Sequence, residues 1–519
     1  MIAILALLLS NAAWAQPVTG WGRQQNTVQL KQAAGGLDIE FISGSTFRVR
    51  RGLAVPPPAS APDPVDLQIS QDKESITITG TEVQVRVART SGLVTAMLPG
   101  SVRLFHESRA QLQAGRAELV LETPTAEKFL GLGPRPHEAA DARGLVLTPQ
   151  SPFFIASHNG YGFWMSGNGP FQFDVGKSQP SQVRISTTGV ERLEYTVAFG
   201  PSVKEIWDER LKAVGAPPTP LLPQLELIAG SQLPAAASRM PQTDLCGDAR
   251  ALVHASLSGL PMPAFDLGHY RDASDYIYKR AAGLAAYAPI FYDSNPPTAG
   301  AKLEMEKEAA AKRHQFSLFL LTYADEVRGR GYPVLHPLVH QFPRDPAVAQ
   351  QIDAFMFGDE LLIVPACAPG KKSVYLPQGI WTDTRTEQEY RGRQTATFDS
   401  PDDGVIALAK NGSIMPLVVD KVTELHYYPK LGGEFFFFEP DANDYSQVHA
   451  GPAADIYRVQ IETKVYRKYE WVIHHMDKPM AVEQVDVGPV RWRYDEATRT
   501  VRIPVDAPAH SDIIHNILY

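Results

Sequence analysis

Cysteine is nearly absent: Cys246 and Cys367 are the only two in 519 residues. So small a number excludes a disulfide-built scaffold and a thiolate metal cluster, and leaves open whether the two pair or sit apart as buried thiols. Excess basic charge is missing as well. Lys and Arg total 49 against 57 Asp and Glu, a net charge of −8, which excludes a basic nucleic-acid footprint and any pull toward anionic membranes. No stretch reaches the roughly 18 uninterrupted apolar residues of a membrane helix, so no membrane insertion is expected. H-E-x-x-H and G-x-S-x-G do not occur, and Gly131-Leu132-Gly133 lacks the rest of a phosphate or dinucleotide fingerprint. The adjacent His474 and His475 would face opposite sides of a strand, as a poor chelator on an exposed strand. Neither a metal nor a cofactor is therefore expected.

What is present is apolar material for several cores, 44% hydrophobic against 20% charged residues, in a chain long enough for more than one domain. Met1–Ala15 carries no charged side chain, and its apolar run Ile2–Leu9 ends before the small-x-small site Ala13-Trp14-Ala15. We read it as an export signal, which predicts a secreted or periplasmic protein. From Gln16 onward the pattern has period two: Leu37, Ile39 and Phe41; Val83, Val85 and Val87; Leu193, Tyr195, Val197 and Phe199. Such alternation buries one face of a strand. The donor-poor Val55–Pro64 must be a surface loop. Pro217-Pro218-Thr219-Pro220 marks a boundary, beyond which Leu225–Ala229 has the look of a buried strand and Ala301–Arg328 that of a single helix stopped by Gly329 and Gly331. Within it, Glu304–Lys312 reads as a solvated face. Strands return at Leu361–Pro365, Val374–Leu376, Ile456–Ile461, Tyr469–Ile473 and Val501–Val505. Alternation places most of Phe435–Phe438, and Trp381, in sandwich cores.

Three ordered stretches resemble glycoside hydrolase family 31, the retaining α-glucosidases and α-xylosidases. The first is Phe129–Gly133, followed by Arg143-Gly144 and Ser151–Gly162. The second runs from Gly331 to Pro416 through GYPVLHPLVHQFPRD, FMFGDELLIVPA, VYLPQGIWTD and NGSIMPL. The third is Tyr428–Ser446, with GGEFFFFEPDANDYS. The resemblance implies a multidomain, mainly β chain: a signal peptide over 1–15, an N-terminal β-sandwich over 16–205, a remnant of a (β/α)8 catalytic barrel over 206–333, and two C-terminal β-sandwich domains over 334–420 and 421–519.

The middle is short. A (β/α)8 barrel takes about 250 residues and rarely fewer than about 200, whereas Leu222–Arg328 supplies 107. Retaining hydrolysis needs two carboxyl groups roughly 5–5.5 Å apart, one as nucleophile and one as acid/base. No stretch matches the family's W-x-D-M-N-E-like nucleophile segment. Trp207-Asp208-Glu209-Arg210 shares letters only and reads as an exposed helix end.

Cys246-Gly247-Asp248-Ala249 is similar to the family's Gly-Asp acid/base site, and Leu257–Tyr270 to the strand that follows it. The resemblance makes Asp248 the candidate acid/base and Asp266 a sugar-hydroxyl ligand, although 18 residues between them leave scant room for an intervening helix with its loops. Ala286–Asn295 resembles the glycone-binding stretch, with Tyr292 and Ser294 where an Arg and a His are usual, and His336 stands where an arginine is usual. Neither Tyr292 nor Ser294 can supply an arginine's bidentate hydrogen bonds, and His336 reads equally as a histidine satisfied within a loop. Three readings follow. The first is a protein that binds an α-linked oligosaccharide or glycoside with catalysis impaired or lost. The second is an active secreted α-glucosidase or α-xylosidase with a reduced site. The third is a non-functional deletion product.

Overall fold

The computed structural model describes residues 16–33, 35–52, 63–113, 115–136, 139–217, 226–230, 232–233 and 237–519. The export signal, nearly all of the proline-rich loop and most of the proline boundary lie outside these residues. Two units are distinguished by their internal contacts, Met1–Leu132 with Asp141–Val214, and Gly133–Ala140 with Gly215–Tyr519.

In the N-terminal unit the period-two segments form antiparallel sheets of eight and nine strands. Leu37, Ile39, Phe41, Val83, Val85, Val87, Tyr195 and Val197 point into one apolar core. Glu107 sits fully buried inside it. Its carboxylate accepts hydrogen bonds from the Val94 amide (2.7 Å) and the Tyr195 hydroxyl (2.8 Å), and pairs with Arg51. Val94 and Glu107 belong to one sheet, Arg51 and Tyr195 to the other, so one buried charge ties the layers together and is itself satisfied. Trp207-Asp208-Glu209-Arg210 is not an exposed helix end: it lies within the helix Val203–Val214, with Trp207 and Glu209 buried. Trp207 packs on Phe153, and Glu209 accepts from Thr46 Oγ1 at 2.6 Å, which is why an acidic residue faces inward there.

The C-terminal unit begins with four parallel strands: β1 (Leu227–Ala229), β2 (Ser238–Arg239), β3 (Pro263–Asp266) and β4 (Ile290–Asp293). Their order is β1-β4-β3-β2. Strand β1 is half-buried to exposed rather than buried. Helix α1 (Leu245–Leu257) joins β2 to β3, and α2 (Asp275–Ala285) joins β3 to β4. The expected single helix over Ala301–Arg328 is two, α3 (Ala301–Gln315) and α4 (Ser317–Arg330), broken at Phe316. Gly331 ends α4 in the left-handed region at φ 72°, a conformation glycine adopts without steric cost.

The remaining strands form sheets of six, two, five and six strands. The strands expected at Leu361–Pro365, Val374–Leu376, Ile456–Ile461, Tyr469–Ile473 and Val501–Val505 are all present. Phe435 and Phe437 are buried while Phe436 is 43% exposed, and Trp381 is fully buried. Cys246, in the first turn of α1, is disulfide-bonded to Cys367, just after strand Leu361–Pro365, with 5.7 Å between Cα atoms.

Candidate functional site

Parallel α/β sheets place ligands at the carboxyl ends of their strands, and the matched aspartates gather there. Asp248 is carried by α1 itself, so the 18 residues from it to Asp266 hold only the rest of that helix, Ala249–Leu257, one short loop and β3. The Asp244 side chain caps that helix by accepting from the Gly247 amide at 2.8 Å. Asp248 Oδ1 accepts from the amide (2.7 Å) and hydroxyl (2.8 Å) of Thr243, and Oδ2 from the Tyr270 hydroxyl (2.7 Å). Burial, with the Asp248 charge adding to it, pushes the Tyr270 hydroxyl up and keeps it a donor. At 6% exposure, Asp248 is a closed carboxylate that locks the entry to α1. Gly247 is required by the same packing, since a Cβ there would lie 2.3 Å from Thr243 Oγ1.

Asp266 ends β3 and is half-buried. Its Oδ1 accepts from the amides of Gly268 and Ser294, both at 3.0 Å, and its Oδ2 from Gln242 Nε2 at 3.1 Å. Gly268 permits this approach: a Cβ would meet the Ser294 amide at 2.8 Å and its Oγ at 2.5 Å. Gln242 on Asp266 and its neighbour Thr243 on Asp248 thus stitch the two aspartates to one segment. Tyr292 pairs in register with Asp266 on the adjacent strand. It is a core side chain, 1% exposed, with the Arg239 guanidinium 5.9 Å above its ring. Ser294 enters through its backbone amide.

His336 lies elsewhere, in the short strand Leu335–Pro337, and is 1% exposed. Its Nδ1 is 3.1 Å from Gln341 Nε2 and 3.0 Å from Asp359 Oδ1, and its ring packs on Tyr323 and His340. The structure therefore brings Asp248, Asp266 and Tyr292 together, and holds His336 in a separate polar cluster.

Two carboxyl groups at the sheet edge escaped the sequence reading. Asp293 ends β4, is fully buried, and accepts from the Asn295 amide at 2.8 Å through Oδ1. Burial pushes it up, and the Asp266 charge adds to this. Glu306 on α3 is 5% exposed and accepts from the Tyr278 hydroxyl at 3.4 Å. Burial, with the Asp293 charge, raises it to about 7 against the opposing pull of Tyr278 and Arg271. The solvated face expected over Glu304–Lys312 is thus interrupted, because α2 packs against α3 and covers Glu306. An acidic residue directly after the apolar run Ile290–Tyr292 was the signal available for Asp293. Cover forms a gradient across this set: the half-buried Asp266 reaches solvent, and burial raises the covered Asp293 and Glu306.

That gradient has a stability signature. A carboxyl whose folded pKa is raised contributes stability that is fully present below its unfolded value of 4.5 and is lost as pH rises through about 7. Glu306→Gln is expected to raise the urea midpoint at pH 8, leave it unchanged at pH 4.5, and flatten the profile between. An unchanged profile would place Glu306 in water.

Among the described residues no group of three or more His, Cys, Asp or Glu is arranged to hold a metal ion, and no helix is long and apolar enough to cross a membrane. A cavity of about 240 Å³ lies beside the disulfide, against Arg250, Asp353 and Lys372.

Residues 331–415 match the model of the glycosyl hydrolase family 31 C-terminal domain. An isomaltosyltransferase of Sporosarcina globispora is 30% identical over 188 residues, 31% of this chain and 17% of that protein. A probable glucan 1,3-alpha-glucosidase of Arabidopsis thaliana is 30% identical over 173 residues, 31% of this chain and 19% of that protein. The matched stretches thus span less than a fifth of either relative. The fold is similar to that of a family 31 dextranase of Flavobacterium johnsoniae complexed with isomaltotriose, with TM-score 0.80 at 13% identity over 98% of this chain and 100% of that one. It is also similar to a family 31 alpha-xylosidase of Xanthomonas citri, with TM-score 0.72 at 10% identity over 96% and 100%.

Proposed function

We propose that this chain, which belongs to glycoside hydrolase family 31, binds α-linked gluco-oligosaccharides at the carboxyl edge of its parallel sheet without hydrolysing them at an enzyme's rate. The observation that carries this reading is the closure of Asp248. Both its oxygens are engaged by Thr243 and Tyr270, so neither offers a proton to a glycosidic oxygen. Asp266 is the acid of the set that reaches solvent, and Asp293 and Glu306 are covered. A retaining pair needs two carboxyls facing one anomeric carbon, and this set presents one.

The sheet is read as an arc of a (β/α)8 barrel. Support comes from its order, in which the first parallel strand lies beside the last, as barrel closure requires, while β1 and β2 are the two edges. A (β/α)8 barrel would have filled the span between those edges. Against a non-functional deletion product stands the surface: none of the large exposed hydrophobic side chains lies on these four strands. The active-enzyme reading draws support from Glu306, which at about 7 is poised as an acid, but its 5% exposure argues against contact with a sugar. A secreted or periplasmic location is proposed on the N-terminal sequence and is supported by the Cys246–Cys367 disulfide, which persists in oxidising compartments.

Calorimetric titration of isomaltotriose into the full chain tests the binding site. Saturable binding is expected, weakened about tenfold in Asp266→Asn through loss of a charge-assisted hydrogen bond. Absent binding, or equal affinity in the variant, would refute it.

A further inference from the structure

Away from the parallel sheet, the C-terminal unit contains a cavity of about 370 Å³, within the size range of small-molecule sites. Three remote stretches converge on it. Helix α3 contributes Lys312, whose Nζ lies 3.3 Å from Asp403 Oδ2 and 4.8 Å from the Tyr287 ring. The turn after strand Ile380–Asp383 contributes Asp383, Arg385 and Glu387. Asp383 Oδ1 organises this turn by accepting from the amides of Arg385 (2.9 Å) and Thr386 (3.2 Å), and Glu387 takes a left-handed φ of 58°. That strained backbone aims Glu387 at the third stretch, where His474 Nδ1 lies at 3.1 Å and His475 Nε2 at 3.3 Å.

The histidines continue outward as a chain of contacts: His474 Nε2 is 3.0 Å from His426 Nδ1, and His426 Nε2 is 2.9 Å from Glu424. Burial lowers His474. The Glu387 carboxyl, although burial raises it, is drawn down to about 2 by the hydrogen bonds from His474 and His475, so it stays an acceptor. The lining thus sets the cationic donors Lys312 and Arg385 against the carboxylate acceptors Asp383, Glu387 and Asp403. Tyr287 and Phe316 add apolar surface.

We propose that this cavity is a second binding site, distinct from the sheet edge, for a neutral polyhydroxylated ring such as a single hexose. Each of these charged side chains already has a partner, Lys312 with Asp403, Arg385 with Asp383 at 3.7 Å and Glu387 with the histidines, so the lining offers no bare charge to an anion or a cation. Neighbouring carboxylate and cationic groups match adjacent hydroxyls, one accepting while the next donates, and the tyrosine and phenylalanine cover the C–H face of the ring. The site does not depend on what the sheet edge binds.

Glucose, glucuronate and glucosamine titrated into the full chain test the proposal. Glucose is expected to saturate. Arg385→Ala and Gln315→Ala, at half-exposed lining positions, are expected to weaken it about tenfold with unchanged circular dichroism, and both charged sugars to bind more weakly than glucose. Asp266→Asn separates the two sites, because glucose affinity that it leaves unchanged, and that falls in the cavity variants, belongs to the cavity. No saturation, equal affinity in both cavity variants, loss confined to Asp266→Asn, or a preference for either charged sugar would overturn the proposal.

Discussion

Reducing the Cys246–Cys367 disulfide is expected to lower the unfolding free energy of the C-terminal unit by about 5 kcal/mol, the chain-entropy value for so long a loop. The cross-link joins residues 121 apart in sequence, and the loop it closes contains β3, β4 and α2 to α4. Without it the unfolded chain regains the freedom of that whole segment. The linkage also fixes the first turn of α1, two residues before Asp248. Urea unfolding with and without reductant measures the effect, and Cys246→Ser with Cys367→Ser should reproduce it in the absence of reductant. A change below about 1 kcal/mol would mean that the reduced chain keeps the loop closed by other contacts.

The second large effect is expected at Arg313. This side chain is fully buried on α3, and its guanidinium donates to the backbone carbonyls of Ala286, Ala288 and Pro289. Those carbonyls belong to the turn that leads into β4, so one cation sets the strand carrying Tyr292 and Asp293. Burial draws its proton affinity down to about 9, and the three carbonyls hold the charge in place. Arg313→Met keeps most of the volume and removes every donor. We expect a loss of about 3–5 kcal/mol, the sum expected when charge-assisted hydrogen bonds go and buried carbonyls are left unmet. Thermal or urea unfolding of the variant gives the value, and a loss under about 1 kcal/mol would show that the turn is held by packing alone.

Much of the architecture was legible because period two survives in single residues. Phe435 and Phe437 turn inward and Phe436 outward, as alternation requires. The helix after the parallel sheet was legible as helix but not as two, because apolar spacing continues across Phe316 while the backbone there departs from helical geometry, at φ −86° and ψ 10°. His474 and His475 were expected on opposite faces of an exposed strand. His474 is instead buried, and His475, at φ 52°, turns back so that both reach Glu387. Alternation holds only while the backbone stays extended.

The site was legible in part, for a different reason. The letters around Asp248 and Asp266 located two acids at one sheet edge, yet sequence says nothing of how many donors close on each oxygen. Asp248 reads as chemistry and is filled by Thr243 and Tyr270. Glu306 reads as solvated because its neighbours are charged, and it is buried where Tyr278 on another helix donates to it. The disulfide was open for the same cause: a separation of 121 residues carries no distance. Contacts remote in sequence decide each of these cases.

We propose that this sheet edge holds a sugar but lacks an opposed pair of acids to cleave it. Incubating the full chain with aryl α-glucosides and α-xylosides, beside Asp248→Asn, decides between binding and turnover. Aglycone release no faster than in buffer is expected for both proteins, under conditions where isomaltotriose binding saturates. Release by the unaltered chain that vanishes in Asp248→Asn would contradict it.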